Sequence, residues 1–166
     1  MKMRHLVHFA VSCVLIAGFV RAQSKPAGGF EQLTSLVGEW EGTSGGGQAA
    51  HVSYQLVSGA TALLERLQSG KEPEMVTMYT ADGNRVVMTH YCNAGNQPQM
   101  RTLPITRMSK VLSFNFVRAT NLQSPEAGHM DHLLVTLLDK DHFSQAWTWK
   151  EKGKVSTIVF RFARKG

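Results

Sequence analysis

Met75-Val76-Thr77-Met78-Tyr79-Thr80-Ala81-Asp82-Gly83-Asn84-Arg85-Val86-Val87-Met88-Thr89-His90-Tyr91-Cys92 decides the fold. Two stretches rich in β-branched and aromatic residues flank Ala81-Asp82-Gly83-Asn84, where Asp and Gly tolerate the positive φ of a tight hairpin turn. Along the second stretch Val86, Met88, His90 and Cys92 share one face, and Arg85, Val87, Thr89 and Tyr91 share the other.

The same pattern extends both ways. Upstream come Glu39–Thr43, Ala50–Val57 and Thr61–Gln68. Downstream come Gln99–Arg107, Val111–Ala119, His132–Leu138, His142–Lys150 and Val155–Arg164. Short turns join most of them; Asn93–Pro98 and Thr120–Asp131 are longer. One short helix is expected before them, from Phe30, Leu33, Leu36 and Val37 at helical spacing with Gly38 as the stop. Parallel pairing would need crossovers of about a dozen residues, which the turns do not supply. An open meander of about ten strands leaves two bare edges, and closure removes them. The expected fold is therefore all-β: an antiparallel up-and-down barrel of about ten strands after a short N-terminal helix, with a two-sheet sandwich as the alternative.

The amino end reads as a targeting signal. Met1-Lys2-Met3-Arg4-His5 is basic, Leu6 to Val20 is mostly apolar, and Val20-Arg21-Ala22 offers a small-residue exit. The apolar run is short of the roughly 20 residues that cross a bilayer. Residues 1–22 are thus expected to be a cleaved signal peptide, 23–29 a flexible linker and 30–166 one barrel domain, secreted or periplasmic and not an integral membrane protein after cleavage. Loss of Lys2, Arg4 and Arg21 lowers the formal charge from +6 to +3. The remaining cations form no coherent stripe, so no nucleic-acid partner is expected. Of two cysteines only Cys92 survives cleavage, and no intramolecular disulfide can form.

Phe30-Glu31-Gln32-Leu33-Thr34-Ser35-Leu36-Val37-Gly38-Glu39-Trp40, a short helix running into Gly-x-Trp, resembles the calycin group of lipocalins, fatty-acid-binding proteins and nitrobindins. Thr77 to Pro98, His142 to Lys150 and the Phe160-Arg161-Phe162 end are similar to an uncharacterised family of exported bacterial proteins thought to share that barrel. The resemblance implies that Arg161 or Arg164 lies over Trp40 and closes the barrel bottom. A guanidinium on an indole face is favourable by about 0.5–2 kcal/mol. The sequence departs from the group in lacking a nitrobindin-type histidine arrangement and an assignable arginine–tyrosine clamp for a carboxylate.

Candidate ligand-binding residues gather where Arg85–Cys92 meets the Asn93–Pro98 loop: Met88, His90, Tyr91, Asn93 and Gln97, with Trp147 from the aromatic face of Phe143, Gln145, Trp147 and Trp149. His129, Asp131 and His132 form a candidate metal cluster, with His90 or His142 completing it, although an extended chain sets His132 opposite the other two. Cys92 and His90 lie about 6.5–7 Å apart along a strand and lack an oxyanion-hole signature, which argues against a nucleophilic pair. Ser44-Gly45-Gly46-Gly47 lacks the lysine and the helix of a phosphate loop. No motif names a cofactor or sets an oligomeric state. The expected function is binding of a small apolar or amphipathic molecule inside the barrel. The alternatives are a metal- or haem-dependent enzyme using a His cluster, and a ligand-free interaction domain.

Overall fold

The computed structural model describes residues 28–106 and 108–166. The signal-peptide reading of residues 1–22 lies outside them. Helix α1 (Gly28–Thr34) leads into ten strands: β1 (Gly38–Ser44), β2 (Ala49–Val57), β3 (Ala62–Ser69), β4 (Met75–Asp82), β5 (Arg85–Tyr91), β6 (Gln97–Thr102), β7 (Val111–Thr120), β8 (His129–Leu137), β9 (His142–Glu151) and β10 (Lys154–Arg164). Each strand pairs antiparallel with its neighbours in sequence, and β10 returns to β1 to close a barrel. No helix among the described residues is long and apolar enough to cross a membrane.

Alternation sets what lies inside. Trp40, Val52, Tyr54, Leu63, Leu67, Tyr79, Met88, Met100, Phe114, Leu133, Phe143, Trp147 and Phe162 are all buried and form one core. Large rings fill most of the barrel, so it is a packed interior rather than a long tube. The closing seam runs from Trp40 opposite Arg164 to Ser44 opposite Phe160. There the backbones approach so closely that a Cβ on Gly42 would run into the Arg161 carbonyl.

One end is sealed. Phe30 and Leu33, one helical turn apart, bury with Leu36 beneath the strands, and Gly38 (φ 124°) turns the chain from α1 into β1. The Trp40 indole donates to the Leu36 carbonyl at 2.7 Å and meets Phe143 edge-on at 4.8 Å. The Arg164 guanidinium lies 4.0 Å above the Trp40 ring, and its two terminal nitrogens donate to the Val37 and Ser35 carbonyls. Arg161, by contrast, stands on the outward face opposite Thr43 and does not reach Trp40.

Three boundaries differ from the sequence expectation. Gly28 and Gly29, read as linker, are buried in α1, and Ile105 packs where a Gly29 side chain would stand. β6 spans Gln97–Thr102 rather than 99–107. Pro104 lacks a ladder donor, and the Ile105 amide turns to the Asn84 carbonyl instead. β8 starts at His129, inside the expected loop, because a bulge between Met130 and His132 absorbs one residue without ending the pairing to β9.

Candidate ligand-binding site

Above the sealed floor the register builds a polar rung. Tyr54 on β2 lies opposite Glu65 on β3, Glu65 opposite Thr77 on β4, and Thr77 opposite His90 on β5. Four consecutive strands thus place four polar side chains in one inward-facing row. From across the barrel, β9 contributes Gln145 and Trp147.

The hydrogen bonds have a definite direction. An indole N–H only donates, so the Trp147 ring at 2.9 Å fixes the Gln145 oxygen toward itself and turns the amide nitrogen inward. That nitrogen donates to the Tyr54 hydroxyl at 2.6 Å and to Glu65 Oε2 at 2.8 Å. The Tyr79 hydroxyl donates to the same Oε2 at 2.9 Å, and Thr77 Oγ1 lies 3.3 Å from Oε1. Glu65 is fully buried. Burial raises its carboxyl above the usual range, while hydrogen bonds from Tyr54, Tyr79, Gln145 and Thr77 act in the opposite sense. Burial, reinforced by the Glu65 charge, pushes both phenols well above their usual value, so they remain donors.

The rung ends at His90, which is only 1% exposed. Its Nδ1 lies 2.9 Å from Thr77 Oγ1, and its ring packs on Trp147 at 4.6 Å. Its Nε2 has no hydrogen-bond partner among the described residues. Burial lowers its pKa to about 4, so the imidazole is neutral at neutral pH. His90 and Trp147 floor a cavity of about 170 Å³ at the open end, walled by Leu67, Met75, Met130 and Phe160. Gln48, Glu72, Asn93 and Ile158 rim it. A cavity of about 150 Å³ lined by apolar side chains holds a benzene ring, and drug-sized pockets begin near 300 Å³. One ring or a short chain therefore fits within it.

Neither a known protein family nor a curated protein matches this chain. Among solved structures, it is similar to a protein of unknown function of the DUF3598 family from Nostoc punctiforme PCC 73102. The TM-score is 0.55 at 15% identity, over 81% of this chain and 49% of that one. The likeness is one of fold. The chain spans about half the length of that protein. EF1p2_mFAP2b bound to DFHBI aligns at TM-score 0.38 and 9% identity, over 82% of this chain and 98% of that one. The closed ten-stranded antiparallel barrel fits the calycin-like fold expected from the sequence.

Of the six ligand residues expected from sequence, His90, Asn93 and Trp147 line the cavity. Asn93 also donates to the Pro73 carbonyl at 3.0 Å, tying the rim loops together. Met88 points inward but lies one step deeper, in the filled core. Tyr91 is 51% exposed, because adjacent strand residues face opposite sides. Gln97 is also turned away, its side chain bonded to Thr120 and to the Gly95 carbonyl.

The expected metal residues do not converge. His129 packs on Phe116 and bonds the Ala127 carbonyl through Nδ1; its Nε2 is 3.7 Å from Asp131. His132 faces Ser113 at 2.8 Å, and His142 sits at the sealed end beside Asp139. Among the described residues no group of three or more His, Cys, Asp or Glu side chains is arranged to hold a metal ion.

Sequence reasoning passed over Glu65, Thr77, Tyr54 and Tyr79. The available signal was Leu63-x-Glu65-x-Leu67, a carboxylate in phase with two leucines on a strand whose neighbours alternate the same way.

Proposed function

We propose that the chain is an exported small-molecule-binding protein that holds a compact, largely apolar ligand in the cavity above His90. The carrying observation is a mostly apolar cavity whose lining includes a fully buried histidine with an unpartnered Nε2. Burying a polar group without a partner costs about 1–3 kcal/mol, and a ligand that engages it recovers that cost. The six apolar lining residues Leu67, Met75, Met130, Trp147, Ile158 and Phe160 supply hydrophobic contact, and His90 supplies one orienting polar atom, the usual division of labour in such pockets. The proposed role is retention rather than turnover, in the barrel domain 30–166 together with its plugging helix. The basic, apolar and Ala22-terminated leader supports delivery to a secreted or periplasmic location. The intact mass of the exported protein tests that part, with cleavage after Ala22 expected.

Ligand binding is tested by titrating the protein with toluene while following the Trp147 indole N–H by NMR. One-to-one saturation is expected, and Ile158→Phe at the rim is expected to weaken it about tenfold by occupying the cavity. Unmoved Trp147 signals at saturating toluene, with native mass spectra showing no retained small molecule, overturn the reading.

A further inference from the structure

The proposed binding function leaves open what polarity of ligand the cavity selects, and the hydrogen-bond directions around Glu65 address this. Gln145 and Tyr79 both direct donors at Glu65 Oε2. Tyr54 accepts from Gln145, which leaves its own hydroxyl hydrogen free to point at Glu65. Every bond fixed by chemistry on the Trp147 side therefore runs toward the carboxylate. An ionised carboxylate accepts and never donates, so it is the natural end of such a chain.

A second chain reaches Glu65 from the other side. The Thr77 hydroxyl has one hydrogen and stands between Glu65 Oε1 and His90 Nδ1. With that hydrogen given to Glu65, Thr77 accepts from His90, and the imidazole carries its proton on Nδ1. Nε2, without a partner among the described residues, is then a bare lone pair on a residue that lines the cavity. Hydrogen bonds aligned head to tail polarise one another, so two chains converging on one carboxylate favour this arrangement over the reverse.

We propose that the cavity selects a small ring bearing a single N–H or O–H donor, which gives its hydrogen to His90 Nε2, and that Glu65 fixes this polarity through Thr77. Thr77 and Glu65 are positioning residues here, since neither lines the cavity. The inference rests on the binding function proposed above, and its test separates the two.

Pyrrole offers only a donor, pyridine only an acceptor, and toluene neither; all are single rings of the size the cavity admits. Pyrrole is expected to bind at least about tenfold more tightly than pyridine, the cost of facing a bare acceptor with another acceptor. Thr77→Val is expected to bring the two within about twofold while leaving toluene unchanged, and Thr77→Ser to restore the preference. The tautomer is read without any ligand from the ¹⁵N shifts of the His90 ring at neutral pH, with Nδ1–H expected. An Nε2–H tautomer, or pyridine binding as well as pyrrole, overturns the polarity proposal even when toluene binds. Failure of all three rings to bind overturns the binding function itself, while the tautomer still judges the relay.

Discussion

The two ends of the barrel are held by different physics. At the sealed end Trp40, Phe143, Phe162 and the helix bury apolar rings, and Arg164, which lies over the Trp40 ring, satisfies backbone carbonyls. Toward the open end the interior is crossed by a carboxylate, an imidazole, two phenols and an amide, all buried and nearly all satisfied. Apolar packing tolerates small shifts, because dispersion has no direction. A buried polar row tolerates few, because each lost partner leaves a desolvated atom. Stability and selectivity are thus assigned to opposite ends of one sheet.

The largest blow to that division is Trp40→Ala. It is expected to cost about 3–5 kcal/mol in denaturant unfolding, by cavity formation at the sealed end, and to leave the pyrrole preference of the surviving folded protein intact. Loss of that preference would show that the ends are coupled.

Next comes acid. The His90 pKa falls from 6.5 in the unfolded chain to about 4 in the folded one. Its neutral form thus contributes stability that is fully present above about 6.5 and lost as pH falls toward 4, about 3 kcal/mol in all. His90→Leu is expected to flatten that part of the stability–pH curve relative to the parent protein; parallel curves would refute the burial of a neutral imidazole.

Glu65→Gln is expected to cost about 1–3 kcal/mol, because its amide turns a donor toward donors from Tyr79 and Gln145. The midpoint should fall with the denaturant slope unchanged. An unchanged midpoint would mean that the rung is already slack.

Smallest is Arg164→Met, expected to remove about 1–2 kcal/mol through the indole contact and its carbonyl bonds. A larger loss would make the sealed end more electrostatic than its rings imply.

Most of the fold was legible because strand period, turn chemistry and the Gly-x-Trp entry all point to one architecture. Where strand ends were misplaced, a proline or a bulge intervened, and neither changes the period of the sequence around it. The site was only partly legible. His90 and Trp147 sit in phase with apolar residues and declared themselves, whereas Tyr91 was grouped with His90 by nearness in sequence although a strand turns them apart. Glu65 escaped because Leu63-Leu64-Glu65-Arg66-Leu67 offers leucines to both faces, and a carboxylate beside an arginine reads as solvent-facing. Only its cross-strand partners, more than ten residues away, reveal that it is inside.

The seam that joins the first strand to the last also orders events during synthesis. β1 leaves the ribosome early, and its final partner β10 leaves late, so one side of β1 stays bare while the rest of the barrel is made. Bare strand edges recruit other chains, and charged side chains discourage them. The outward residues of β1 include Glu39 and Glu41, which in the finished barrel meet His51 and Lys165. Before Lys165 exists they are a repulsive fringe, guarding a nascent polypeptide against pairing with its own copies.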